Sequence, residues 1–268
     1  MLYLIKFGGN AIDDERDLRK ICDEVRQMKE SGSDVILVHG GGPAISAEME
    51  KAGLKPEKIN GVRVTDSAGL EVAAKVLGDI NKRVTDVLDS LNVTNQGMAA
   101  YSCTVCRKVQ PVKIIENNKE RLADLGLVGE VESVDTKTLK KLLDQGKVPV
   151  IYPIGSDGKE RLNVNADTMA AGIAAAMKCD EMIAVTDVPG VLKDVSDPSS
   201  VYPRLTVNEV HSLIEDGTIS GGMIPKVEAC VNAVRAGARA VRMVNGKDSN
   251  KILIDITDGN GKGTVITE

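Results

Sequence analysis

The chain has 268 residues, with 34 Lys and Arg against 39 Asp and Glu, a formal net charge of −5 and an aromatic content of 2%. A chain of this length can bury a substantial core without disulfides or metal ions to hold it together. The acidic charge and the shortage of rings argue against a nucleic-acid-binding protein, which needs cations for phosphates and rings for base stacking, and the shortage of rings also argues against a carbohydrate-binding protein.

Short apolar runs and helical apolar spacing alternate along the chain. Runs that end at turn residues predict buried strands, and apolar residues three and four positions apart predict amphipathic helices. In chain order the sequence predicts a strand at 2–7, a helix at 14–29, a strand at 34–39, a helix at 44–52, a polar loop at 55–65, a long helix from 66 or 67, a helix at 135–145, a strand at 148–154, a helix at 167–178, a strand at 181–186, helices at 206–215 and 223–236, and a strand at 240–244.

Two further segments have a different character. The middle of the chain, about 94–134, contains β-branched runs between turn residues and predicts a small antiparallel patch. Residues 251–256 are ambiguous, because their β-branched composition favours a strand whereas a preceding Ser249 could cap a helix. Strands that alternate with helices of this length predict an α/β fold: a three-layer αβα sandwich with a mostly parallel central sheet, in one body with two lobes.

The termini and cysteines indicate a cytoplasmic protein. The opening residues MLYLIKFGG lack the basic and apolar regions of a secretory signal, and the apolar stretch 168–177 is about half as long as the roughly 20 residues that a membrane span requires. Five scattered cysteines favour reduced thiols. Cys103 and Cys106 form one CxxC pair without a second pair of ligands nearby, so we interpret them as strand residues, with a metal or redox site as the less favoured alternative.

Glycines follow several of the predicted strands, at the strand ends where ligands of open α/β sheets bind. Such glycines let backbone N–H groups approach an anion, and a helix that follows adds a favourable dipole. Any one of them could simply form a tight turn, but together they favour a phosphate-handling site. There is no P-loop motif, and Ile45 stands where a dinucleotide fingerprint would place its third glycine. The glycines are Gly8-Gly9, Gly40-Gly41-Gly42, Gly190 and Gly221-Gly222.

Seven longer stretches resemble the amino acid kinase family, and they occur in the family's order over about residues 2–266. Within that family the combination is most similar to the N-acetylglutamate kinases. Any single stretch is weak evidence for the resemblance, whereas the seven stretches together are specific for this family. The stretches are KFGG at 6–9, VHGGGP at 38–43, GVRVTD at 61–66, GLVGEV at 126–131, NVNAD at 163–167, TDVPGV at 186–191 and GGMIPKV at 221–227.

The resemblance implies one amino acid kinase domain over 1–268. Its N-terminal lobe, about 1–155, would bind the acyl acceptor and form the dimer, and its C-terminal lobe, about 156–268, would bind ATP. The reaction would transfer the γ-phosphoryl group of ATP to the side-chain carboxylate of N-acetyl-L-glutamate, with Mg²⁺ bridging the β- and γ-phosphates. Such a carboxylate is already ionised at neutral pH, so the reaction needs positioning and charge neutralisation more than a general base.

By the same resemblance, Lys6 and Lys226 would flank the transferring phosphoryl group, and Asp167 would lie between the two lysines and fix their positions. Arg63 would bind the α-carboxylate of the acceptor through a bidentate contact. The other substrate-binding residues would be Gly41, Gly42 and Asn163. The nucleotide would be bound by Gly8, Gly9, Asp187, Val188, Pro189, Gly190, Val191, Leu192, Ser220, Gly221, Gly222 and Met223. No protein ligand to the metal is assigned.

Each of these residues also has an ordinary structural explanation. Lys6 could be a strand end that reaches the surface, Asp167 a helix N-cap, and Arg63 a solvated loop residue. Lys226 is harder to explain in this way, because a cation in the first turn of a helix opposes the helix dipole. An anionic ligand at that position accounts for it better.

One stretch departs from the family pattern. A Ser-Gly-Lys-Asp-Gly turn is replaced by QGMAAYSCTVC at 96–106, a segment that we expect to border the acceptor pocket. The departure keeps open a kinase for another small N-blocked acidic amino acid or carboxylate. A catalytically weak nucleotide-binding regulator is a third alternative. The presence of both Lys6 and Lys226 argues against it, because a regulator would not need both lysines. The family's arginine-inhibited hexamers carry an N-terminal helix that this sequence lacks, so we expect a homodimer that does not respond to arginine.

Overall fold

A twisted β-sheet runs through the computed structural model, which describes residues 1–8, 14–116, 119–194, 196–197, 199–247 and 251–268. In chain order the elements are β1 (Leu2–Phe7), α1 (Glu15–Glu30), β2 (Asp34–His39), α2 (Gly42–Lys51), β3 (Lys58–Ile59), β4 (Val62–Arg63), α3 (Ser67–Ser90), β5 (Asn95–Ala99), β6 (Thr104–Lys108), β7 (Val112–Glu116), β8 (Lys119–Ala123), β9 (Val128–Val134), α4 (Thr136–Asp144), β10 (Val148–Tyr152), β11 (Ile154–Ser156), β12 (Arg161–Val164), α5 (Ala166–Met177), β13 (Glu181–Thr186), β14 (Arg204–Thr206), α6 (Val207–Glu215), α7 (Ile224–Arg235), β15 (Val241–Asn245), α8 (Ile252–Thr257) and β16 (Thr264–Thr267).

Eight of the described strands form the central sheet, in the order β14-β16-β15-β13-β1-β2-β10-β5. Every neighbouring pair is parallel except β15 and β16. Strand β1 lies in the middle, between β2 and β13, so its carboxyl end is flanked by the carboxyl ends of two other strands. The predicted α/β fold with a mostly parallel sheet is therefore confirmed.

Helices cover both faces of this sheet. Neighbouring side chains of β1 point to opposite faces: Leu4 lies in the core that contains residues of α4, α5, α6 and α7, whereas Ile5 lies in the core that contains residues of α1, α3 and α8. Both side chains are fully buried, and burial of an aliphatic side chain contributes about 1.5–3 kcal/mol to stability. The three-layer αβα arrangement follows. No helix in the described part of the chain combines the length and the apolar character needed to cross a membrane.

The structure corrects the predicted middle of the chain. Strand β5 does not belong to an antiparallel patch but pairs in parallel with β10 at the edge of the central sheet. A second sheet, in the order β11-β12-β9-β6, contains the antiparallel pairing of β6 with β9. The predicted strand 148–154 is divided between the two sheets at Pro153, which has no N–H group to donate to a ladder.

The predicted polar loop at 55–65 contains a short hairpin of β3 and β4. Its turn residues Asn60 and Gly61 have φ of 50° and 79°, as the mirror-image turns of tight hairpins require. The short strands β12, β14 and β16 were not predicted either, because strands of three or four residues are too short to show a hydrophobic period.

The ambiguous segment 251–256 is a helix, α8, and the capping group comes from far away in the sequence. Glu24 of α1 is 3% exposed, and its Oε2 accepts hydrogen bonds from the backbone N–H groups of Leu253 and Ile254. Burial raises the pKa of the Glu24 carboxyl to about 7, although these two N–H donors act in the opposite direction. A short helix is thus fixed to the core by a buried acidic side chain.

Glu24→Gln should change how stability depends on pH. Because the folded pKa lies near 7 and the ordinary value is 4.5, the wild-type chain loses stability as the pH rises through about 7 and the buried carboxyl ionises. From pH 5 to pH 8 its free energy of unfolding should fall by about 2 kcal/mol relative to the Gln variant, since one pKa unit corresponds to about 1.4 kcal/mol. Urea denaturation across this range measures the difference, with Glu50→Gln on exposed α2 as the control. If the difference in free energy of unfolding between the wild type and the Glu24→Gln variant did not change with pH, this role of Glu24 would be contradicted.

Candidate functional site

Two clefts open at the carboxyl end of β1 and share the side chains of Lys6 and Asp167. The first, the glycine cleft, has a volume of about 220 Å³ and lies between the glycines that follow β2, the β3–β4 hairpin and residues 163–167. The second, the helix cleft, has a volume of about 630 Å³, lies between α5 and α7 and reaches Lys226. Of the predicted catalytic residues, Lys6 and Asp167 therefore lie where the two cavities meet, and Lys226 lies in the helix cleft.

Lys6 and Asp167 form an ion pair at this junction. Lys6 Nζ lies 2.7 Å from Asp167 Oδ1, and the two side chains are 16% and 34% exposed. Asp167 lies in the first turn of α5, but the N-cap is Asn165, whose side-chain oxygen accepts a hydrogen bond of 2.7 Å from the Asp167 N–H. Because Asn165 supplies the cap, the carboxylate of Asp167 is left for Lys6.

Gly41, in the glycine turn after β2, lies close to α3. A Cβ on Gly41 would lie 2.7 Å from Ile80 Cδ1 and 3.1 Å from Leu77 Cδ2. Gly42 and Pro43 begin α2, and Gly41 and Gly42 at this helix start line the glycine cleft. Free N–H groups at a helix N-terminus favour an anion. Gly8 also lines this cleft, whereas Gly9 lies outside the described residues.

A buried histidine, which the sequence analysis did not assign to the site, fixes the start of this glycine turn. His39 is fully buried, and burial lowers its pKa to about 4, so the ring is neutral at pH 7. Its Nδ1 lies 3.0 Å from the Gly40 carbonyl oxygen and must donate to it. Nε2 then accepts a hydrogen bond from Asn81 Nδ2 at 3.1 Å, and Asn81 also donates to the Val150 carbonyl. A His at a strand end and an Asn on the buried face of a helix were the only sequence signals.

Arg63 is buried beside the same turn rather than solvated. It is 6% exposed, and Nη2 donates hydrogen bonds to the Gly42 carbonyl at 3.0 Å and to Ser46 Oγ at 2.7 Å. Burial lowers the pKa of its guanidinium group. Among the described residues no carboxylate forms an ion pair with Arg63, so its positive charge in the glycine cleft is not balanced by an acidic partner.

Asn163 lies on the opposite wall of the glycine cleft. Its Nδ2 donates a hydrogen bond of 3.0 Å to Thr65 Oγ1, and Thr65 in turn donates to the Arg63 carbonyl. Arg63 and Asn163 come from positions 100 residues apart in the sequence, and Thr65 connects them. The structure thus brings together the four predicted substrate-binding residues, Gly41, Gly42, Arg63 and Asn163.

Lys226 does not pair with Asp167, which corrects the expected position of one carboxylate between two lysines. It lies in the first turn of α7, and its Nζ forms an ion pair with Asp187 Oδ1. Asp187 directly follows β13. The hydrogen bond from Lys226 is the largest of the interactions that hold the pKa of Asp187 below its ordinary value. Each lysine therefore has its own acidic partner in this structure.

The predicted nucleotide residues 187–192 and 220–223 line neither of the two clefts. Val188 to Leu192 continue from β13, and Gly190 with φ of 140° lies against β16, where a Cβ would be 2.6 Å from Thr264 Oγ1. Val191 is buried and donates its N–H to the same Thr264 oxygen. Ser220 to Met223 precede α7 and are more exposed. Both segments adjoin the helix cleft through Asp187 and Lys226.

The altered segment 96–106 does not line the glycine cleft. Its first residues belong to β5, at the edge of the central sheet, and line a groove against the outer side of α3. Cys103 and Cys106 are both 1% exposed, and burial raises the pKa of Cys103 to about 12. The departure from the family pattern therefore lies away from the site.

Comparison with known proteins shows the family of the chain. The model of the amino acid kinase family matches residues 1–245. The chain belongs to this family. An acetylglutamate kinase from Methanococcus vannielii is 41% identical over 267 residues, which cover 98% of this chain and 91% of that protein. An acetylglutamate kinase from Methanocaldococcus jannaschii is 39% identical over an alignment that covers 99% of this chain and 90% of that protein.

Solved structures share the fold at lower identity. N-acetylglutamate synthase from Neisseria gonorrhoeae, in complex with coenzyme A and N-acetyl-glutamate, gives a TM-score of 0.82 at 21% identity and covers 100% of this chain and 59% of that chain. Carbamate kinase from Giardia lamblia bound to AMP-PNP gives a TM-score of 0.67 at 19% identity, and the match covers 100% of this chain and 98% of that chain. These similarities establish the amino acid kinase fold.

Asn81→Ala should destabilise the chain by about 1–3 kcal/mol, because it leaves the buried His39 ring nitrogen and the Val150 carbonyl without their donor. Asn208→Ala on the exposed face of α6 is the matched control, and we expect it to change stability by less than about 0.5 kcal/mol. Urea denaturation at pH 7 measures the free energy of unfolding of both variants. Equal stability of the two variants would show that the His39–Asn81 network does not hold the glycine turn.

Proposed function

We propose that the chain transfers the γ-phosphoryl group of ATP to the side-chain carboxylate of N-acetyl-L-glutamate, giving N-acetyl-L-glutamyl 5-phosphate and ADP in arginine biosynthesis. The observation that carries the proposal is the Lys6–Asp167 ion pair at the junction of two clefts. One cleft offers Arg63 and helix-start N–H groups, and the other reaches Lys226. The two named acetylglutamate kinases support the choice of acceptor.

The glycine cleft suits a small acceptor with more than one negative charge. Among the described residues, Lys6, Lys58 and Arg63 line it together with a single acidic residue, Asp167. Arg63 is buried without an acidic partner among the described residues, and a bidentate contact with an α-carboxylate would supply the missing charge. Ile45 and Leu77 provide an apolar wall for an acetyl methyl group. The volume of about 220 Å³ admits one small acid.

The proposed reaction needs no general base. The acceptor carboxylate is ionised near pH 7, so one of its oxygens attacks the γ-phosphorus while the bond from that phosphorus to the β-phosphate oxygen breaks. No proton is transferred in this step. Lys6 and Lys226 would stabilise the charge on the transferring group, and a single donor of this kind contributes about 10²–10³ to kcat. Asp167 and Asp187 would hold one lysine each until the substrates arrive.

The nucleotide would lie over the helix cleft. Its phosphates would approach Gly8 and Gly9, the start of α7 and Lys226, and its adenosine would lie against residues 187–192 and 220–223. The first segment directly follows Thr186 and the second lies just before Pro225 and Lys226, and these three residues line the helix cleft. Because rings are scarce in this chain, aliphatic side chains would contact the adenine.

Mg²⁺ would be carried by the nucleotide. No three His, Cys, Asp or Glu side chains come together as a metal site in the described ranges, and the two carboxylates of the site are each paired with a lysine. Mg²⁺ commonly binds substrate phosphates with few protein ligands. When bound, it neutralises charge between the β- and γ-phosphates.

We also infer two lobes, with the acceptor bound mainly by residues 1–155 and ATP mainly by residues 156–268. Gly41, Gly42 and Arg63 of the glycine cleft come from the first part, and Lys226 of the helix cleft comes from the second. The cleft residues Asn163 and Asp167 from the second part would close the acceptor site.

A homodimer in the cytoplasm, without nucleic-acid or membrane partners, is part of the same proposal. Tyr101 and Val105 are 48% and 49% exposed next to the edge strand β5, which favours this edge as the contact between subunits. All five cysteines are free and buried, as suits a reducing compartment. Light scattering should give twice the mass of 28.5 kDa, and Val105→Glu should give the monomer. A wild-type monomer would contradict the dimer.

The activity is tested by measuring ADP release with purified protein and a panel of acids. N-acetyl-L-glutamate should be the best acceptor, ahead of glutamate, N-acetyl-aspartate and N-acetyl-α-aminoadipate. Lys226→Ala should lower kcat by about 10²–10³ without a change in thermal stability. Lys140→Ala on α4 is the control, since Lys140 is exposed far from both clefts.

Faster turnover of another acid would favour the alternative kinase, and turnover of no acid would favour a nucleotide-binding regulator. A Lys226→Ala variant that lost only ATP affinity would contradict the catalytic role of this lysine.

A further inference from the structure

A second lysine is held at the same end of the sheet as Lys226. Strands β13 and β15 run in parallel with Thr186 opposite Asn245. Beyond this pair, the Gly246 N–H donates a hydrogen bond of 2.9 Å to the Thr186 carbonyl, and the Lys247 N–H donates one of 3.0 Å to Asn245 Oδ1. These bonds fix the backbone of Lys247 beside the residue that follows Thr186, which is Asp187.

At the carboxyl ends of β13 and β15, positively charged side chains outnumber negatively charged ones among Asp187, Lys226 and Lys247. Asp187 is already the partner of Lys226. Lys247 is exposed and forms no ion pair within the described part of the chain. The hydrogen bond from Lys226 is the largest cause of the low pKa of Asp187, and the positive charge of Lys247 makes a smaller contribution in the same direction. Two lysines thus lie near one carboxylate, which leaves this edge with one positive charge in excess while Lys226 is paired with Asp187.

Lys193 differs from Lys247 because its ammonium group already has a partner. Lys193, in the segment after β13, lies 5.2 Å from the centre of the Tyr202 ring, a distance at which a cation interacts with an aromatic face. This contact distinguishes Lys193 from Lys247, whose ammonium group has no described partner that would have to be given up on binding a ligand.

We propose that Lys247 is a nucleotide-binding residue that contacts the phosphate chain of the bound nucleotide. Lys247 follows β15, which pairs with β13, and Thr186 at the end of β13 lines the helix cleft, whereas Lys226 lines that cleft from α7. Lys247 therefore selects nucleotides by the charge of their phosphates. This inference rests on the proposed use of ATP, because a ligand without a phosphate chain would give Lys247 no such role.

The test compares ATP, ADP and AMP binding to the full-length chain by calorimetry. Lys247→Met should weaken ATP and ADP binding about tenfold, the equivalent of about 1.4 kcal/mol, and AMP binding by less than about threefold. Lys247→Arg should restore most of the affinity for ATP, since it keeps the charge. Lys140→Met on α4 is the matched control. In assays with acceptor, Lys247→Met should raise the KM for ATP and leave the KM for the acceptor within about twofold.

Equal weakening of all three nucleotides, or no weakening of any, would overturn the inference. Wild-type protein that binds nucleotides but phosphorylates no acid would contradict the proposed function, while the ratio of ATP to AMP affinity would still decide the role of Lys247. Wild-type protein that binds no nucleotide would contradict both.

Discussion

The ion pair between Lys6 and Asp167 is the contact on which the site depends. It joins the central strand of the sheet to the first turn of α5, and it separates the glycine cleft from the helix cleft. A lysine near the end of a buried strand needs a carboxylate partner, and Asp167 provides it because Asn165 caps the helix in its place. Transfer between two substrates, one in each cleft, would have to pass this pair.

The surrounding polar network keeps that junction in place. The neutral His39 ring, held by Asn81, fixes the glycine turn after β2, and Arg63 binds the backbone carbonyl of Gly42 from the other side. Buried polar groups that are all hydrogen-bonded specify one arrangement. The two helical layers pack against opposite faces of β1, so the strand that carries Lys6 cannot shift without disturbing both cores.

The sequence was informative where the signal is local. Apolar runs and glycines predicted the ends of β1 and β2, and the helix predicted at 206–215 is confirmed as α6, with Thr206 as its N-cap. Contacts between distant residues gave no local signal. Nothing near Glu24 indicates that it caps α8, and nothing in the motif around Lys226 indicates that Asp187 is its partner. The segment 96–106 was placed at the acceptor pocket because chain order does not reveal which strand is its neighbour.

The most direct test is a crystal structure of the chain with ADP, Mg²⁺, N-acetyl-L-glutamate and aluminium fluoride, a planar analogue of the transferring phosphoryl group. The account predicts the fluoride between the side-chain carboxylate of the acceptor and the β-phosphate of ADP. Both Lys6 Nζ and Lys226 Nζ should be within hydrogen-bonding distance of it, and Asp167 should still be paired with Lys6. An analogue bound away from the junction of the two clefts, or contacted by neither lysine, would contradict the account.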